Sequence, residues 1–196
     1  MLLFYTILEL IMVPGLLNRY KEDGLLFDFG TSHDFSNWIE VSDTVREGGK
    51  SKAIITSHRG SNFSCAIFLY LLDPLPNGAC FAGMKYNGTR WNLSDYDGIE
   101  AELRRTGPNE WFKFVFDQEF SYEKQFRAPS DFGTVRFPFT EMKAYHWGKP
   151  VDNAPPLNKS NLDFGIQVYG GVFERFKQSG PGSLQINWVR AYKSHH

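Results

Sequence analysis

The sequence predicts an all-β protein, an antiparallel β-sandwich, and three observations carry that expectation. From Leu25 onward apolar residues recur with period two rather than 3.6. Glycine- and proline-containing turn signals separate the alternating runs. Aromatic residues make up 16% of the chain and include 18 phenylalanines. Large rings at alternating positions suit two facing sheets better than a helical bundle.

The elements follow in order. Ile39 and Val41 alternate with Glu40 and are assigned to a dry face. Residues 63–72 and 79–86 read as a hairpin turning at Asp73–Gly78. Ile99, Ala101 and Leu103 alternate with Glu100, Glu102 and Arg104, and Phe112, Phe114 and Phe116 follow with Lys113 and Asp117 facing water. Val135, Phe137 and Phe139 alternate with Arg136 and Pro138, and Glu141–Tyr145 reads as one short helical turn. Phe164, Ile166 and Val168, then Leu184, Ile186 and Trp188, complete the pattern. Each run has one wet and one dry face, as in packed antiparallel sheets. The turns fall at Gly48-Gly49, Pro76-Asn77-Gly78, Asn87-Gly88, Gly107-Pro108, Gly170-Gly171 and Gly180-Pro181-Gly182. With no repeat and no linker, residues 24–193 read as one domain.

Residues 1–23 read as an apolar leader or N-terminal extension. Leu2–Leu17 is nearly all apolar but is interrupted by Glu9, too short and too broken for a stable transmembrane span. A charged n-region and a small-x-small cleavage site are both missing from it.

The net charge is −1 and the lysines and arginines are scattered, so nucleic-acid binding has no electrostatic footprint. Two cysteines, Cys65 and Cys80, are too few for a disulfide scaffold or a zinc site. If their strands are hairpin neighbours, Cys80 falls opposite Leu71 and Cys65 opposite Tyr86. That separation of roughly 20 Å, from about 3.4 Å per residue, excludes a disulfide and predicts two free or buried thiols. None of His33, His58, His146, His195 and His196 has zinc-ligand spacing. No G-x-S-x-G elbow occurs. Asp95 with Asp97, and Glu100 with Glu102, read as turn and solvent-face residues. The chain is therefore expected to be non-catalytic and to need no cofactor.

Two loops stand out as candidate partner or ligand sites. The first is Ser42–Ser51, where Ser42, Asp43 and Arg46 precede Gly48-Gly49. It reads either as a charged recognition loop or as a structural turn capped by Asp43 and Ser42. The second is Tyr145–Leu157, with Tyr145, His146, Trp147 and Lys149 before Pro155-Pro156. Its rings either stack on a partner or a sugar, or plug one end of the core through Trp147. Asn62, Asn87, Asn92 and Asn158 begin N-x-S/T sequons, the acceptor pattern of N-glycosylation.

Six segments in order carry a family resemblance. They are LFDF (Leu26–Phe29), SDTVREGGKS (Ser42–Ser51), NLSDYDGIEAELRRTG (Asn92–Gly107), TVRFPFTEMKAYHWGKPVDNAPPL (Thr134–Leu157), FGIQVYG (Phe164–Gly170) and LQINWVRAY (Leu184–Tyr192). Together they resemble the complex I intermediate-associated protein 30 family, whose domain is a jelly-roll β-sandwich of galactose-binding-like type. The second segment departs from the family wording: Arg46-Glu47 stands where Met-Gly is usual, and Lys50 intrudes before Ser51. The resemblance implies a chaperone-like, protein-binding role in assembly of mitochondrial NADH:ubiquinone oxidoreductase. The alternative on the same scaffold is a secreted carbohydrate- or ligand-binding module. The family points to the mitochondrion, and the apolar N-terminus and sequons point to the secretory pathway.

Overall fold

The computed structural model describes residues 24–61 and 63–194. The expected leader or extension, the sequon at Asn62, His195 and His196 lie outside the described residues. The strands are β1 (Leu25–Asp28), β2 (Trp38–Ser42), β3 (Lys52–Arg59), β4 (Ser64–Leu72), β5 (Phe81–Trp91), β6 (Gly98–Thr106), β7 (Trp111–Asp117), β8 (Ser121–Arg127), β9 (Gly133–Pro138), β10 (Lys143–His146), β11 (Lys149–Pro150), β12 (Leu162–Tyr169) and β13 (Gly180–Tyr192). A six-stranded sheet runs β3, β4, β13, β6, β9, with β1 also paired to β13, and a seven-stranded sheet runs β11, β10, β8, β7, β12, β5, β2. Every strand pairing is antiparallel. The sheets stack as a jelly-roll sandwich of galactose-binding-like type.

The period-two pattern builds the core between them. Phe112, Phe114, Phe137, Ile166, Val168 and Ile186 are 0% exposed. Phe114 from the larger sheet meets Phe137 from the smaller edge-on at 4.1 Å, with Phe126 and Phe164 each at 5.1 Å. Edge-to-face and offset rings at these distances add to the burial of apolar area.

Several expectations are corrected. In β2 the facing is reversed: Trp38 and Ser42 point inward, and Ile39 is 45% exposed. Trp38 packs against Phe27 and Tyr86 at 5.2 and 5.5 Å. The larger ring takes the interior, and a period of two puts Ile39 outside. In β13 the register against β6 shifts between Ile186 and Trp188. That bulge resets the alternation, so Val189 and Ala191 are buried while Trp188 is half-buried beneath the Arg190 guanidinium.

β4 and β5 are not a hairpin. β4 pairs with β3 and β13, and β5 pairs with β12 and β2, in the other sheet. The register that set Cys80 opposite Leu71 therefore does not form, though both thiols are free and buried. Residues 139–141 form a 3-10 turn, and the segment expected to turn helically from Glu141 is β10 from Lys143 onward. Asn87-Gly88 and Gly180-Pro181-Gly182 lie inside β5 and β13 instead of turning. Gly88 and Gly182 serve neighbouring rings: a Cβ on either would fall 2.3 Å from the Tyr86 or Tyr70 phenol. Glu100 is not a solvent-face residue but is 2% exposed.

Candidate functional site

The first candidate loop carries the chain from β2 in one sheet to β3 in the other. A 3-10 turn over Asp43–Val45 begins it, and Asp43 is 2% exposed. The Asp43 side chain accepts the Ser51 N–H at 2.9 Å, the Ser51 hydroxyl at 2.6 Å and the Phe81 N–H at 3.3 Å. Ser42 is buried too, its hydroxyl bonded to Glu40. Gly48 sits at φ +78°, and a Cβ on Gly49 would lie 2.0 Å from the Asp43 carbonyl oxygen. The polar wording of this loop thus tightens a crossover. Arg46 alone of its candidate side chains reaches outward with charge, its guanidinium 5.6 Å from the Phe81 ring.

Cys80 lies beneath this crossover. Burial pushes its thiol up to about 11, helped by the negative charge of Asp43. Burial raises the Cys65 thiol as well.

The second loop is a two-residue hairpin. Tyr145 pairs with Pro150 and His146 with Lys149, leaving Trp147-Gly148 as the turn. Both turn residues have positive φ, 51° and 77°. That is the backbone of a type I′ turn, in which glycine or asparagine is the favoured occupant. Trp147 is 80% exposed, so it does not plug the core. Its ring meets His146 edge-on at 5.9 Å, and His146 meets Phe120 at 6.2 Å. Lys149 is exposed, whereas Tyr145 folds over the outer face of the seven-stranded sheet. Lys113 Nζ lies 5.5 Å from the Tyr145 ring and 4.4 Å from the Tyr169 ring, and bonds Glu123 at 2.6 Å. Burial raises both phenols above their ordinary value.

The two candidate loops are at opposite ends of the seven-stranded sheet. Asp43 bonds Phe81 at the start of β5, and Phe81 pairs with Tyr169 at the end of β12. Trp147 lies beyond Tyr145, whose partner Ser121 faces Asp117 at the far end of β7. The structure therefore does not join them into one site.

A third loop, Gly170–Gln178, carries a feature that the sequence reading missed. Phe173 on it is 82% exposed. The loop folds onto the outer face, where Phe176 stacks on Trp111 at 5.0 Å and 6°. Gln178 fixes its end: Oε1 accepts the N–H groups of Glu110 and Trp111, and Nε2 donates to the carbonyls of Trp111 and Tyr169. Two phenylalanines in a polar stretch bounded by glycines were the available signal.

Among the described sequons, Asn87, Asn92 and Asn158 are all exposed. Asn158 Oδ1 accepts both the N–H and the hydroxyl of Ser160. Among the described residues no cluster of three or more His, Cys, Asp or Glu side chains is placed to hold a metal ion. No helix among them is long and apolar enough to cross a membrane.

Solved structures share this architecture. A family 11 carbohydrate-binding module from Clostridium thermocellum, in complex with a β-1,3-1,4-mixed-linked tetrasaccharide, matches with TM-score 0.63 and 16% identity over 89% of this chain and 98% of that one. The family 11 module of cellulosomal cellulase Lic26A-Cel5E from the same organism matches with TM-score 0.60 and 17% identity, over 89% and 97%. At such identity the likeness concerns the fold. An uncharacterised protein of Schizosaccharomyces pombe is 29% identical, covering 79% of this chain and 80% of the relative. A family model described as Complex I intermediate-associated protein 30 matches residues 27–186. With that match spanning most of the sandwich, from β1 into β13, the chain belongs to the complex I intermediate-associated protein 30 family.

Proposed function

We propose that this is a non-catalytic recognition domain whose ligand is a protein, an assembly intermediate of mitochondrial NADH:ubiquinone oxidoreductase, on which it acts in a chaperone-like way. Family membership supports a partner of this kind, and Trp147 is the observation that carries the recognition role. A tryptophan 80% exposed at positive φ is a costly arrangement for a soluble surface. Nothing in the local fold requires a ring there, since glycine or asparagine suits the turn better. Buried tryptophan dominates the energetics of protein interfaces.

The alternative, a secreted carbohydrate-binding module, draws support from the shared fold and from the exposed Asn87, Asn92 and Asn158. Against it, the rings that lie along the outer face of the seven-stranded sheet are already engaged: Phe176 covers Trp111, and Lys113 lies against Tyr145 and Tyr169.

The deciding experiment removes the protein from its own cells and resolves respiratory complexes on native gels. Loss of full-size complex I with accumulation of smaller intermediates is expected. Undiminished complex I, together with a glycosidase-sensitive protein in the medium, would replace this reading by the alternative.

A further inference from the structure

We propose that residues 171–177 form a hinged flap that shuts an aromatic slot on the outer face of the seven-stranded sheet, with Phe176 as its built-in occupant. The device does not depend on the protein-binding reading above.

Adjacent strands make the slot. Trp111 opens β7 and Tyr169 ends β12, and each alternates with an inward-facing neighbour, Phe112 or Val168. β7 and β12 are paired. Phe176 lies over both rings, parallel to Trp111 at 5.0 Å and 6°, and edge-on to Tyr169 at 5.7 Å and 70°. Lys113 also lies against the Tyr169 ring, at 4.4 Å, but it bonds Glu123 at 2.6 Å and so stays with the sheet.

The flap is bonded more to itself and at its neck than to the face beneath it. Inside it, the Glu174 N–H donates to the Gly171 carbonyl at 2.9 Å, and Lys177 Nζ donates to the carbonyls of Gly171 and Glu174 at 2.7 and 2.8 Å. At the neck, the Gln178 N–H donates to the Gly170 carbonyl at 3.0 Å, and the Gly170 N–H to the Cys80 carbonyl at 2.9 Å. The Gln178 side chain adds its four bonds to Glu110, Trp111 and Tyr169. Against the face stand the two ring contacts of Phe176 and one hydrogen bond, Gln125 Nε2 to Glu174 at 3.1 Å. A unit that is rigid within, fixed at its neck and lightly latched opens as one body. Gly171, at φ +74°, stands where the flap leaves the neck, and a Cβ there would lie 2.7 Å from the Phe176 ring. Hinge and latch therefore meet at one glycine.

Closure leaves one polar group unmet. Tyr169 is 7% exposed, and its hydroxyl is buried with no hydrogen-bond partner among the described residues. Burial also raises its phenol well above the ordinary value. A buried hydroxyl without a partner costs free energy, which water restores when the flap lifts. That cost opposes the gain from covering Trp111 and narrows the gap between the closed and open states.

Oxidative footprinting of the full-length chain tests the hinge, with Tyr70 as the internal standard. Tyr70 is 5% exposed and its hydroxyl is equally buried, but it packs on Phe68 and Phe112 inside the core. In the wild type Tyr169 is expected to oxidise at least about tenfold faster than Tyr70. Gln125→Ala removes the latch bond and leaves every ring in place. It is expected to raise the Tyr169 rate by at least about threefold while the Tyr70 rate stays as it was. Equal rates at the two tyrosines in the wild type overturn the flap, as does an unchanged Tyr169 rate in Gln125→Ala. A rise shared by Tyr70 reports loosening of the whole fold and overturns it as well.

Discussion

Asp43 and Ser51, eight positions apart, are joined twice: Asp43 Oδ1 accepts the Ser51 N–H at 2.9 Å, and Oδ2 accepts its hydroxyl at 2.6 Å. The same Oδ2 accepts the Phe81 N–H, and Ser51 Oγ accepts the Asp73 N–H at 3.1 Å. One side chain therefore ties the crossover between sheets to β5 and to the connection after β4. Asp43→Ala is expected to cost about 2–4 kcal/mol, because it strands several donors at a buried site. Urea unfolding measures this, with Ser51→Ala expected to cost less. A change below about 0.5 kcal/mol would return the loop to the recognition reading.

Phe114 joins the sheets by aromatic contact. Its ring touches Phe137, Phe126 and Phe164 and is 0% exposed. Phe114→Ala is expected to destabilise by about 3–5 kcal/mol. Calorimetry of the variant checks the figure, and a loss near 1 kcal/mol would mean that the site collapses around the missing ring.

Glu100 gives the fold an acid limit. Burial alone would raise its carboxyl, but bonds from Arg136 at 2.7 Å and Arg190 at 2.6 Å outweigh burial and hold it below the ordinary value of 4.5. The unfolded chain therefore binds the proton more readily. The stabilisation is complete above about pH 4.5 and is lost as pH falls through the lower folded value. Glu100→Gln is expected to cost about 1–2 kcal/mol at pH 7, less than a fully buried pair because both guanidinium groups still meet water. The diagnostic result is a flatter stability profile between pH 5 and pH 3 in the variant (about two units spanning the carboxyl range); parallel profiles would assign the acid limit to other carboxylates.

At the hairpin tip, stability and recognition pull apart. Trp147→Asn places a residue that tolerates positive φ at the turn. It is expected to raise stability by about 0.5–1 kcal/mol while weakening partner binding. Thermal melts and binding measured on the same preparation settle it, and a destabilised variant would show that the Trp147–His146 contact supports the turn.

The β-sandwich was legible because period two survives in nearly every strand, most plainly in Phe112, Phe114 and Phe116. What escaped was parity and partnership. Trp38 outcompeted Ile39 for the interior, and a bulge after Ile186 reversed the facing of Trp188, neither of which a local pattern encodes. Sheet membership was equally hidden: β4 and β5 are consecutive yet lie in different sheets, so a hairpin register between Cys65 and Cys80 had no basis. Of the candidate sites, the exposure of Trp147 depended on a two-residue turn that the text HWGK only hints at. Asp43 looked like a ligand group because a buried cap and an exposed acceptor use the same residue types. Phe173 was passed over because a ring in a loop declares its exposure only once its neighbours, Phe176 and Gln178, are seen to fix the loop.

β13 lies between β4 and β6, although among the described strands it comes last in chain order. Translation adds about 5–20 residues per second, so the edge of β4 waits on the order of ten seconds for its neighbour to leave the ribosome. Throughout that interval the nascent chain presents open backbone groups on β4 and on β6. The smaller sheet is thus completed only once β13 has emerged, and the newborn protein passes through a stage in which cellular holdases compete with β13 for these edges.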